Sequence, residues 1–68
     1  MRYNPKELES TLEGLVDTCG LSTVISALSE ICHAKAEHLR TNWQDEAMAK
    51  IWDHSGKRIA QCAMRVVV

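Results

Sequence analysis

Phenylalanine is missing from this chain, tyrosine and proline each occur once, and glycine occurs three times. With so few turn-formers, a β-sandwich or another loop-rich fold has nothing from which to build its corners. No stretch approaches the roughly 20 apolar residues that a membrane span needs. No basic segment followed by an apolar core opens the chain, so the expectation is a cytoplasmic protein with no membrane partner. Neither sign of charge dominates: 8 Lys and Arg face 9 Asp and Glu, for a net charge of −1. There is therefore no whole-molecule field to draw in nucleic acid or an anionic lipid surface. The three cysteines lack the short paired spacing of a zinc site or a disulfide framework, and an odd count fits reduced thiols. A Gly-rich phosphate loop and a nucleophile elbow are absent too. The reading is a protein that is not an enzyme and uses neither cofactor nor metal.

What is present is helical pattern. Apolar residues make up 46% of the chain, enough for a folded core and too many for a disordered tail. Asn4-Pro5-Lys6-Glu7 is a helix start, with Asn4 as cap, Pro5 in the first turn and Glu7 placed to complete a capping box. From there Leu8, Leu12, Leu15, Val16 and Cys19 fall on one face, and Glu9, Glu13 and Asp17 fall opposite. Gly20 is a left-handed stop, and Ser22 can cap a second helix at once. That helix carries a stripe of Val24, Ile25, Leu28, Ile31, Cys32, Ala36 and Leu39, backed by Ser26, Glu30, His33 and Glu37. Thr41-Asn42 reads as the next break, with Asn42 capping a third helix and Asp45-Glu46 in its first turn. Without that break, helices two and three would fuse into one rod from residue 23 to residue 65.

The third helix has two adjacent stripes. One is bulky: Met48, Ile51, Trp52, Ser55, Ile59, Cys62 and Val66. The other is small: Ala49, Gly56, Ala60 and Ala63. Two stripes of different size suit two neighbours. The expected fold is all-α, a small antiparallel three-helix bundle in one domain (1–68), with helices near 5–19, 23–40 and 43–65. A domain of this size buries only about 60% of its unfolded surface, so association with a second copy is a common remedy. The halves differ in charge as well. Residues 1–34 carry two cations and five acids, or −3; residues 35–68 carry six cations and four acids, or +2. They can attract each other within one chain or between two. We therefore expect a helical homodimer, a non-enzymatic protein-interaction and self-association module.

Six positions are the candidate partner interface. Ala49, Gly56, Ala60 and Ala63 form the small stripe. Lys35 lies in the middle of an apolar stripe, where it either snorkels or meets an acid from another chain. Trp43, about half a turn round from Trp52, either folds back onto Leu39 or stands out as an aromatic anchor. Two metal-like patterns fail on geometry. Cys19, Cys32 and Cys62 sit on three helices, but Cys32 falls about 15 Å along helix two from the end where the others meet. Buried free thiols are expected, with a Cys19–Cys62 redox pair as the alternative. Glu30, His33 and Glu37 have the spacing of a di-iron helix but lie on a polar face. The competing function is nucleic-acid binding: Val16 to Val24 loosely resembles a helix-turn-helix. A recognition helix needs cations near phosphate, and helix two has none before Lys35.

Overall fold

A computed structural model describes residues 4–68; the first three residues lie outside the described residues. The chain is all-α. It forms α1 (Pro5–Cys19), α2 (Leu21–His38) and α3 (Glu46–Arg65), with a π-helical turn, Leu39–Trp43, between the last two and no strand among the described residues.

The ends of the helices follow from local chemistry, and two caps differ from expectation. At α1, Asn4 Oδ1 accepts from the Lys6 amide at 2.8 Å, satisfying one of the unpaired first-turn donors. Gly20 ends α1 with φ +93°, a backbone angle that favours glycine, and its N–H donates to Val16 O at 2.8 Å. Ser22 does not cap α2, because the helix already begins at Leu21 and Ser22 lies in its first turn. The Ser22 amide donates instead to the backbone oxygen of Val68 at 2.8 Å, so a residue three positions beyond α3 serves as the acceptor that the serine was expected to supply. Asn42 does not cap α3 either. The helical path continues past Thr41-Asn42 as the wider π-turn, and Gln44 reverses it with a left-handed φ of +52°. The cap is Asp45, whose Oδ1 accepts from the Met48 amide at 3.1 Å.

Helices α2 and α3 pack on each other. Arg40 meets Glu46 at the turn, Ser29 meets Gly56 midway, and Ser22 meets Val68 at the far end. Helix α1 stands apart. The chain bends by 115° between α1 and α2 across Gly20 alone, and α1 makes no contact with α3 among the described residues. Folding back alongside α2 would need a reversal near 180°, for which helical hairpins use a loop of about two to five residues. The radius of gyration is 13.7 Å, against about 11 Å for a compact domain of this length. The molecule spans 37 × 31 × 14 Å, and the middle figure is about twice the backbone width of two packed helices. A three-helix bundle would cover α3 with both other α-helices. In the chain, only α2 touches α3.

Candidate interaction surface

The α2–α3 seam is built from small residues. Ser29, Cys32 and Ala36 are the buried positions of α2, and Ala49 and Gly56 are those of α3, with Ala36 and Ala49 at 0% exposure. On each helix the small residues recur every seventh position: Ser22, Ser29 and Ala36 on α2, and Ala49, Gly56 and Ala63 on α3. That period holds a narrow seam against one partner helix. The backbones come close enough for Ser29 Oγ–H to donate to the Gly56 carbonyl at 2.8 Å, which satisfies the one buried hydroxyl among the described residues. A Cβ at Gly56 would lie 3.0 Å from the Cβ of Cys32 and 3.0 Å from His33 Nε2. No larger residue fits there without movement.

One flank of the hairpin is polar and tied. Arg40 Nε–H donates to both Glu46 oxygens, at 3.0 and 3.2 Å, and Arg40 Nη2–H donates to Asp53 Oδ2 at 2.9 Å. His33 Nδ1–H donates to the other Asp53 oxygen at 3.0 Å. The hydrogen bond from His33, then that from Arg40, hold the Asp53 carboxyl below its usual range. Glu46 first and Asp53 second push the Arg40 guanidinium the other way, so it stays charged. Each of these side chains is a third or more exposed, so solvent screens the network and it aligns the two helices more than it stabilises them. His33 is oriented by a carboxylate as a catalytic imidazole would be. Its Nε2 faces Gly56, however, and the nearby Ser29 hydroxyl is committed to a carbonyl.

The other flank is apolar and open. Val24, Leu28 and Ile31 follow one another up the shoulder of α2, and Met48 and Ile51 lie on the corresponding shoulder of α3. Leu28, Ile31, Met48 and Ile51 are all exposed, Ile51 at 58%. Helix α1 adds Leu8, Leu12 and Leu15, also exposed, and buries no residue at all. In the angle between α1 and α2 lies a cleft walled by Leu12, Leu15, Cys19, Val24, Leu28 and Ile31, almost wholly carbon-lined.

The structure separates the six candidate interface residues. Ala49 and Gly56 are buried against α2 of their own chain, and Ala60 and Ala63 flank the same seam half-buried. The small stripe thus meets a neighbour inside the chain, because α2 supplies small residues at matching intervals. Lys35 is exposed, and its Nζ sits 6.0 Å from the centre of the Trp52 ring, a cation–π contact across the hairpin. Trp43 is 70% exposed and does not close the core over Leu39. Its indole N–H donates to His38 Nε2 at 3.3 Å, and the Asn42 side-chain nitrogen lies 2.7 Å from His38 Nδ1.

The cysteines also differ from expectation: only Cys32 is buried, whereas Cys19 and Cys62 are exposed, since α1 does not cover the core. Cys19 lines the apolar cleft, and Cys62 lines a separate hollow with Arg58 and Arg65, on helices that do not touch. The Glu30, His33 and Glu37 set is divided as well. His33 turns to Asp53, and Glu37 lies 3.9 Å from Arg40. The helix pair that resembles a helix-turn-helix is joined by one residue, where that motif uses a turn of about three or four. Leu28 and Ile31, expected on the buried stripe of the second helix, are exposed. No family model matches the chain, and no curated protein or solved structure matches it either.

Proposed function

We propose that the protein is a non-enzymatic helical module whose role is self-association, with a homodimer as its working form. The observation that carries this reading is surface. The chain exposes 5562 Å², whereas a folded monomer of 7.6 kDa exposes about 4300 Å² by the usual scaling with mass. The surplus, roughly 1250 Å² per chain, would make a dimer interface of about 2500 Å², within the range of obligate homodimers. Leucine, isoleucine and methionine side chains are exposed on all three helices, and exposed apolar surface of this kind marks an interaction site. In this reading the antiparallel helical bundle is completed between two chains. Each hairpin gains its missing layer from the other copy.

The test is equilibrium sedimentation across the micromolar range. A particle of twice the 7.6 kDa chain mass is expected, with a thermal midpoint that rises with protein concentration. A particle of one chain mass with a sharp, concentration-independent transition would overturn the reading.

A further inference from the structure

Resting on the self-association reading, we propose that the occupant of the α1–α2 cleft is α1 of a second copy, so that the two chains interlock reciprocally through their first helices. Three features of the molecule converge on this cleft. First, the single-residue connection at Gly20, with its 115° bend, keeps α1 from folding back, so Leu8, Leu12 and Leu15 are only partly covered within their own chain. A lone helix of 15 residues is marginal in water, and its stability must come from packing. Second, the cleft offers Val24, Leu28 and Ile31 beside Leu12 and Leu15, and it lies next to the very helix that needs cover. A surface that both presents and receives the same helix is self-complementary, as a two-fold interface requires. The surplus surface is large enough for such an exchange, because an interlocked pair buries α1 and the cleft of each chain together.

Charge agrees with the choice of occupant. Helix α1 carries Glu7, Glu9, Glu13 and Asp17 against Lys6, or −3. Helix α3 carries Lys50, Lys57, Arg58 and Arg65 against Glu46 and Asp53, or +2. Within one chain these two helices do not touch. The opposite net charges of α1 and α3 favour an encounter between α1 of one chain and the hairpin of another.

The experiment compares three variants by equilibrium sedimentation, with circular dichroism as the check on folding. Leu12→Asp and Leu28→Asp place a charge in the cleft; Ile51→Asp places one on the exposed shoulder of α3, outside it. Both cleft variants are expected to weaken dimerisation at least 100-fold, and Ile51→Asp to change it less than fivefold. Should Ile51→Asp dissociate the dimer while the cleft variants remain paired, the cleft assignment falls and self-association stands. A monomeric wild-type protein removes both. A measurement on the unaltered chain covers the case in which a cleft variant fails to fold. Cys19 lines the cleft and Cys62 does not, so alkylation by iodoacetamide followed by peptide mass spectrometry reads the interface directly. At concentrations that populate the dimer, Cys19 should react at least tenfold more slowly than in dilute solution, with Cys62 little changed. Equal reactivity of Cys19 in dimer and monomer would overturn the proposal.

Discussion

Helix α1 and the α2–α3 hairpin are equally helical and held by different physics. The hairpin has a seam: two alanines with no exposed surface, a serine hydroxyl spent on a facing carbonyl, and an ion network along one edge. Helix α1 has the better-formed N-terminus, with Asn4, Pro5 and an early acid all in place, and it buries nothing. Caps and propensity decide where a helix begins and ends, each at a worth of about 1 kcal/mol. They do not decide whether it is covered. The contrast shows that the chain can specify three helices locally and still complete only one of its two packing contacts.

The largest expected effect comes from enlarging one residue in each region. Ala36→Leu inserts a bulky side chain into a seam with no room for it, and overpacking of this kind costs about 1–3 kcal/mol. Ser10→Leu makes a similar enlargement on the outer face of α1, where the side chain meets solvent, and should stay within about 0.5 kcal/mol. Urea denaturation followed by circular dichroism reads both. If the two variants behaved alike, the hairpin would not be the stable half of the molecule.

The two helical glycines give a smaller contrast of opposite sign. Glycine within a helix costs about 1 kcal/mol relative to alanine, so replacement is favourable wherever space allows. At Gly14 the added Cβ meets nothing within 4 Å, and Gly14→Ala should stabilise by about 0.5–1 kcal/mol. At Gly56 the same Cβ lies 3.0 Å from the Cys32 Cβ, which is fixed to a buried backbone and cannot swing aside. Gly56→Ala should therefore cost about 1 kcal/mol net, the strain exceeding the gain in propensity. Thermal midpoints moving in the same direction for both variants would mean that the seam yields more easily than its contacts indicate.

Much of this was legible in the sequence, and one misreading is instructive. Asn4-Pro5 and Gly20 mark the limits of α1 through capping chemistry that acts over a few residues. The expected stripe of α2 holds in part: Cys32 and Ala36 are buried, whereas Leu28 and Ile31 are exposed and Ser29 joins the contact line in their place. Close helix pairs place small residues on the contact line and push large ones to the shoulders. The signal was the seven-residue recurrence of Ser22, Ser29 and Ala36, which matches Ala49, Gly56 and Ala63. The small stripe of helix three is plain by itself, but only together with its counterpart on helix two does it point to a neighbour within the chain. Asp45 as the true cap of α3 was harder to read, since Asn42 is an equally good capping residue and only the π-turn removes it from the helix start.

The smallest effect concerns the polar edge, which α1 lacks. Asp53 is held below the usual carboxylate range by the hydrogen bonds from His33 and Arg40, so the folded state favours its ionised form. Its contribution to stability is therefore fully present above the carboxyl's ordinary range and is lost as pH falls through the lowered folded value. Asp53→Asn keeps the shape of the side chain but removes that titration. The variant should be slightly less stable at neutral pH, and its stability should decline less steeply on acidification, so the two curves converge at the acid end. Because the carboxylate is partly exposed, the gap at neutral pH should narrow further in high salt. Urea midpoints measured at intervals from neutral to strongly acidic pH, with and without added salt, test each part. A gap that persisted unchanged at the acid end would assign the role of Asp53 to packing rather than charge, leaving the small-residue seam as the sole distinction between the hairpin and α1.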